Sequence, residues 1–350
     1  MFATATGSLG ATEKPSATAV IPAAWKQIVE PAHPFLLSVM QGLAEQVATF
    51  DPEIIPYAEY ALTNQGKHLR PALVCLSGQA AGEVGQPLID AAVIIEMIHL
   101  ATLVHDDIMD EATVRRKRPT LAANWGNEIS VLLGDCLFAH ALKLAAAFPT
   151  TEVCKAVASS TKTVCSGEIL QTHRRSNFDF TQADYFKVIG MKTAELFSLS
   201  CELGASLAGA TLQEKLALKQ YGFHLGTAYQ IHDDCLDLFG TELLAGKSLG
   251  TDIARGKLTL PVLIALSKSS EKERSLAESW IREWDSTRHI PLLSSWLHSH
   301  HALTATREHL RSYLAQARES LEPVEPSSSR DALLQLVDYI DQQNTGLSRR

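Results

Sequence analysis

The chain has 350 residues, with 31 Lys and Arg against 39 Asp and Glu for a net charge of −8, 46% hydrophobic and 20% charged residues, 20 Gly, 14 Pro and 6 Cys. This mixture excludes a disordered, collagen-like or disulfide-stapled chain. The acidic balance excludes a general attraction to nucleic acid or anionic lipid, so an anionic ligand would have to be held locally.

In chain order, residues 1–20 are rich in Ala, Thr, Ser and Gly and are expected to form a disordered tail, with residues 21–350 making one domain. The tail has no basic cluster ahead of an apolar core, and no Arg precedes Arg70, which argues against a secretory signal or an Arg-rich transit peptide. Pro31 and Pro34 punctuate the first helices. Next, Gly66-Lys67-His68-Leu69-Arg70-Pro71 sets two cations three residues apart at a helix start, where free backbone N–H groups also favour anions. Long segments without internal Pro, mostly rich in Ala and Leu, then predict helices over residues 89–111, 129–146, 152–172, 183–208 and 212–238. A Gly-containing polar loop is expected over 241–256, and a break at 322–329 before a final short helix. Strand alternation is not convincing anywhere, so the expected class is all-α: one large bundle of about a dozen helices. The most continuous apolar run, 91–104, is interrupted by Glu96 and His99, so no segment is expected to span a bilayer and a cytoplasmic protein is expected. Cys75, Cys136, Cys154, Cys165, Cys201 and Cys235 form no C-x-x-C pair and read as small buried hydrophobes in a reducing compartment.

Two of these helices end in D-D-x-x-D: Asp106, Asp107 and Asp110 on the first, Asp233, Asp234 and Asp237 on the second. At 100° per residue, positions i and i+4 stack on one face and i+1 lies to the side, so each end presents an acidic patch. Carboxylates this close repel one another, and a cation offsets the repulsion. Carboxylate oxygens with room for water and phosphate oxygens suit Mg²⁺, through one or two carboxylates per ion. A solvated acidic helix end would explain one such patch, but not two on two apolar helices. Arg115 and Arg116 follow the first patch, Lys192-Thr193 lies within a helix, and Lys247 and Lys257 flank the polar loop. Around two acidic patches, these cations describe a site for several phosphate groups.

The motifs GKHLRP, HDDIMD followed by RR, GEILQ, KTAELF, YQIHDDCLD and GKSLGTDIARGKLTLP, in this order, resemble the trans-isoprenyl diphosphate synthase (polyprenyl synthetase) family from about Gly66 to Pro261. The resemblance implies an isoprenoid synthase fold around a deep central cavity, usually a homodimer, and head-to-tail condensation of isopentenyl diphosphate onto an allylic diphosphate. Carried over position by position, it implies two or three Mg²⁺ ions with Asp106, Asp110, Asp233 and Asp237 as metal ligands and Asp107 and Asp234 in or near the shell. It assigns Lys67, Arg70, His99 and Arg116 to isopentenyl diphosphate, and Arg115, Lys192, Thr193, Gln230 and Lys247 to the allylic diphosphate, with Lys257 beside them. Two departures are Lys117, where a Gly commonly follows the Arg pair, and Gln65 in place of a frequent Gly. The residues about a turn before Asp106 would form the cavity wall, and Ala101 and Thr102 are small, with Ile98 and Ile94 below. This predicts an all-trans product longer than farnesyl, of medium or long chain; geranylgeranyl or farnesyl diphosphate, and a catalytic subunit that needs a partner chain, stay open. Peripheral membrane contact through the product is a further expectation. A terpene cyclase would not need a second diphosphate site, a regulatory subunit could lose acidic ligands, and a structural scaffold has no use for paired carboxylates.

Overall fold

The computed structural model describes residues 23–63, 66–241 and 249–348; the expected tail, Gln65 and Lys247 lie outside the described residues. Among these residues are sixteen α-helices, three short non-α turns and one two-residue hairpin. The helices are α1 Ala23–Ile28, α2 His33–Val47, α3 Ile55–Leu62, α4 Leu69–Ala81, α5 Gln86–Met109, α6 Leu121–Ala146, α7 Thr151–His173 and α8 Gln182–Ile189. They continue as α9 Glu195–Leu207, α10 Leu212–Phe239, α11 Thr251–Ala254, α12 Leu260–Lys268, α13 Glu271–Arg282, α14 Ser286–Ser299, α15 Ala302–Ser320 and α16 Ser328–Thr345. One contiguous apolar core runs through them from Trp25 to Ile340.

α5 is the axis of the bundle. It packs most extensively on α6 and also touches α2, α4 and α9. Its residues from Ala91 to Ile98 are all buried, as expected of a helix that is apolar on every side. α4 meets α9 closely because Gly204 has no side chain; a Cβ there would stand 2.4 Å from the Val74 carbonyl oxygen. α8, α10 and α13 each open with a capping box, Thr181 with Asp184, Thr211 with Glu214 and Ser270 with Glu273, which satisfies the first free N–H groups.

Several expectations change. Both α5 and α6 are long and apolar enough, by length and composition alone, to cross a membrane. The α5 window is 67% buried inside the bundle, which explains its hydropathy as that of a core helix; the α6 window is 39% buried. The helix expected over 183–208 is divided by a π-helical turn, Gly190–Ala194, between α8 and α9. α6 bends at Gly126, where φ is +87°. The final helix, α16, is not short but 18 residues long. A hairpin pairs Val114–Arg115 with Arg118–Pro119, too brief to show as sequence alternation. Of the cysteines, Cys75, Cys201 and Cys235 are buried as expected, whereas Cys136 and Cys154 are half-buried and Cys165 is exposed, all six as free thiols.

Candidate active site

Asp106, Asp107 and Asp110 fan out from the end of α5 as the helical spacing requires. Asp106 lies 3.5 Å from Lys192 Nζ. Asp110 accepts from Lys257 Nζ at 2.7 Å and from Arg175 at 3.1 Å. Burial alone would raise the Asp110 carboxyl, but Lys257, Lys192 and Arg175 outweigh it and hold the group below the usual carboxylate range. Asp107 turns aside, is buried and accepts from Arg115 Nε at 2.7 Å. Its burial outweighs that ion pair and raises its pKa.

Lys192 sits on the π-helical turn, where the wider coil re-aims its side chain. The turn can lie against α7 only because position 167 is Gly: a Cβ there would come 2.8 Å from Met191 Cβ and 2.9 Å from Lys192 N. Lys192 also pairs with Glu168 and donates to Gln171 Oε1 at 3.1 Å. Burial lowers its pKa, but Asp106 and Glu168 outweigh this and keep the ammonium charged.

The second acidic patch divides among three roles. Asp233 is half-buried and acts electrostatically on Lys67. Asp234 is buried in a network: Thr193 Oγ1 donates to Gln230 Oε1 at 2.7 Å, Gln230 Nε2 to Asp234 Oδ1 at 2.8 Å, and the Tyr185 hydroxyl to Asp234 Oδ2 at 2.6 Å. Asp237, which the resemblance assigns as a metal ligand, lies deeper than Asp233. It is fully buried, and its two carboxylate oxygens accept from Thr251 N at 3.3 Å, Thr251 Oγ1 at 2.9 Å and Asp252 N at 3.2 Å, which ties the start of α11 to α10.

Facing these patches is a cationic pocket. Arg70 stacks over the Phe197 ring at 5.1 Å, and Phe197 is itself packed against Tyr229. Arg116 lies against Gly66, where a Cβ would stand 2.5 Å from its guanidinium. Burial lowers the pKa values of Lys67, Arg70 and Arg116. His99 is held well below its ordinary pKa, first by burial and then by Arg70, Arg116, Arg115 and His68, so its ring is neutral. Gln171, Lys192, Thr193, Gln230, Asp234 and Lys257 line part of a recess that opens to solvent.

The structure thus brings together Lys192, Lys257, Asp106 and Asp110, and separately Lys67, Arg70, His99 and Arg116. Arg115 serves Asp107, and Lys247 lies outside the described residues. Ala101, Ile98 and Ile94 are fully buried, while Thr102 is half-buried and its hydroxyl donates to the His99 carbonyl at 2.6 Å. At 100° per residue Thr102 is about 40° from Asp106 and Ala101 about 140°, so Thr102 is the wall candidate directly beneath Asp106. Sequence reasoning missed Arg175, Glu168, Tyr185 and Glu96. Glu168 and Gln171 could have been found in the GEILQ motif as an i, i+3 pair on one helix face; Arg175 and Tyr185 carry no local signal.

Among the described residues, no three His, Cys, Asp or Glu side chains stand close enough to hold an ion by themselves. The donors nevertheless fit Mg²⁺ in kind. Asp106 and Asp110 are oxygen ligands with side chains 17% and 26% exposed, each countered by an ammonium or guanidinium. Such a set suits an ion bound with one or two carboxylates and completed by phosphate oxygens and water.

A family model described as polyprenyl synthetase matches residues 51–290. The short chain isoprenyl diphosphate synthase of Methanothermobacter thermautotrophicus is 34% identical over 308 residues, covering 86% of this chain and 94% of that one. The octaprenyl diphosphate synthase of Escherichia coli is 32% identical over 311 residues, covering 88% and 96%. A crystal structure of a polyprenyl synthase from Caulobacter crescentus, complexed with calcium and isoprenyl diphosphate, superimposes with a TM-score of 0.85 at 33% identity, covering 93% and 98%.

Proposed function

The chain belongs to the polyprenyl synthetase family and is a prenyltransferase that makes all-trans polyprenyl diphosphates, and from that premise we propose how its residues divide the reaction. The family generally uses a divalent metal. Asp106, Asp110 and Asp233 would hold two or three Mg²⁺ ions, which would supply positive charge to the diphosphate leaving group. Lys192, Thr193, Gln230, Arg115, Lys257 and Lys247 would hold the allylic diphosphate. Lys67, Arg70, His99 and Arg116 would hold isopentenyl diphosphate. The observation that supports this division is that Lys192 and Lys257, which pair with Asp106 and Asp110, line one recess together with Asp234, while Arg70 and Arg116 form a separate buried cationic group.

In the reaction, the allylic C–O bond breaks and its electron pair leaves with the diphosphate. The isopentenyl double bond attacks the allylic carbon, and the resulting cation loses a proton to the released diphosphate. No side-chain nucleophile takes part. Lys192 and Lys257, which pair with Asp106 and Asp110, are placed to turn toward the diphosphate of the bound substrate. Asp234 and its network hold Thr193 and Gln230 in register, and Asp237 anchors the segment that carries Lys257. The neutral ring of His99 adds no further charge to the cationic pocket.

The product is proposed to be longer than farnesyl, because neither Ala101 nor Thr102 is aromatic. We place the protein in the cytoplasm. Exposed Val131 and Leu132 on α6 and Ile169 on α7 support a homodimer through these helices. The purified chain should elongate an allylic primer with labelled isopentenyl diphosphate only when Mg²⁺ is added, and chromatography would read the product length. Thr102→Phe or Ala101→Phe should shorten the product; an unchanged product in both removes these residues from the wall. No elongation with any primer, together with unaltered metal-dependent diphosphate binding by Asp106→Ala, would overturn the site assignment. Turnover restored only by a second, different chain would replace the homodimer with a heteromer.

A further inference from the structure

Glu96 is the carboxylate that interrupts the apolar run of α5, and the reaction as described leaves it without a task. It is 4% exposed and sits more than two helical turns before Asp106 on α5. A lone buried carboxylate is costly, and a well-packed apolar residue of similar volume would usually stabilise such a position better. Its surroundings explain its presence. His68 Nδ1–H donates to Glu96 Oε1 at 3.2 Å, and Glu96 is the strongest opposite charge acting on both Arg70 and Arg116.

Two details separate this from an ordinary buried ion pair. Glu96 Oε2, Arg70 Nε and Arg116 Nη1 are all buried, and none has a hydrogen-bond partner. A closed Glu–Arg fork would have used those N–H groups, whereas here the negative charge gathers the guanidinium groups without saturating their donors. Second, His68 has a left-handed backbone, φ 44°, at the N-cap of α4. A non-glycine residue pays for that conformation with strain that the surroundings must hold in place. The hydrogen bond to Glu96 holds it, and this fixes the turn that sets Lys67 on one side of His68 and Arg70 on the other.

We propose that Glu96 is a positioning residue for the isopentenyl diphosphate pocket: it stands in for the diphosphate while the pocket is empty, keeping Arg70 and Arg116 together and the Lys67–Arg70 turn in its receiving shape. The proposal rests on the assignment of Lys67, Arg70, His99 and Arg116 to isopentenyl diphosphate. Without Glu96 the cations repel one another and His68 loses its anchor, so the pocket must be reassembled by the substrate at a cost in affinity. The allylic side, built on Lys192, Gln230 and Lys257, bonds to Asp106, Glu168, Gln171, Thr193, Asp234 and Asp110 and is expected to be unaffected.

The test is steady-state kinetics of the full chain with each diphosphate varied in turn. Glu96→Gln keeps the volume and removes the charge. It should raise KM for isopentenyl diphosphate about tenfold or more and leave KM for the allylic diphosphate and kcat within about twofold, and Glu96→Asp should recover part of the loss. Should Glu96→Gln fail to fold, His68→Ala cuts the same link from the other end and should show the same selective rise. Arg70→Ala serves as the reference. If it raises the isopentenyl KM and Glu96→Gln does not, the role of Glu96 is refuted and the pocket assignment stands. If Arg70→Ala leaves that KM unchanged, the pocket assignment fails and this proposal with it. A rise in both KM values with a fall in kcat and in Tm would mean that Glu96 merely supports the fold.

Discussion

Replacing Gly167 with Ala adds one methyl group where α7 meets the π-helical turn. The new Cβ would lie 2.8 Å from Met191 Cβ, 2.9 Å from Lys192 N and 3.2 Å from Met191 C. Carbon contacts are comfortable at about 3.5–4.0 Å, so the two elements must part by roughly 0.6–1 Å. The atoms in the way belong mostly to backbone, and no side-chain rotation clears them. Overpacking of this kind costs about 1–3 kcal/mol, partly offset by about 1 kcal/mol that Ala gains over Gly inside a helix. The net loss of stability is therefore modest, about 0–2 kcal/mol by the same reckoning. The effect on catalysis should be larger, because the displaced residue is Lys192, whose Nζ lies 3.5 Å from Asp106 and 3.1 Å from Gln171. A misplacement on the order of 1 Å can cost about 100-fold in rate. Gly167→Ala should accordingly lower kcat by about 10- to 100-fold, measured as the initial rate of label transfer from isopentenyl diphosphate, while urea unfolding shows a folded protein. Gly346→Ala is the control: nothing lies within 4 Å of its Cβ position and its φ is −64°, so it should keep full activity. A Gly167→Ala protein with kcat within twofold of the parent would refute the argument that this glycine sets the position of Lys192.

His99 supplies a pH prediction. Its folded pKa lies well below 6.5, so the unfolded chain takes up a proton there that the folded chain does not, and stability that is full above 6.5 falls as the pH drops. Each pH unit below that point costs about 1.4 kcal/mol for one such group. His99→Gln cannot take up the proton, and its urea-unfolding free energy should fall less steeply between about pH 6.5 and 5.5 than that of the parent. His140, His224 and His232, also shifted down by burial, keep some slope in the variant, and an unchanged slope would contradict the assignment. At the tip of the hairpin, Arg116 and Lys117 both have positive φ, 51° and 63°, a geometry that two-residue hairpins usually give to Asn or Gly. Lys117 is exposed, so Lys117→Gly should relieve backbone strain and stabilise the protein by about 1 kcal/mol, read as a rise in Tm. A fall in Tm would show that the lysine side chain holds the turn.

The sequence by itself determined the helical class, the placement of the long helices, and the two acidic helix ends with cations ordered around them. These are properties of neighbouring residues: a period of 3.6 fixes which side chains share a face, and D-D-x-x-D sends its first and last carboxylates one way and its middle one another. α5 obeys this closely, with Asp106 and Asp110 turned to Lys192 and Lys257 and Asp107 to Arg115. The second patch has the same spacing and a different outcome. Asp237 caps α11, and Asp234 accepts from Tyr185, 49 residues away in sequence, so identical motifs acquire different partners from what packs against them. The π-helical turn under Lys192 was hidden because its sequence is compatible with an ordinary helix; the difference comes from the close approach of α7 at Gly167. Glu96 looked like a blemish in an apolar run for the same reason. Its partners His68, Arg70 and Arg116 come from α4, the turn before it and the hairpin, and only the folded chain brings those charges to one place.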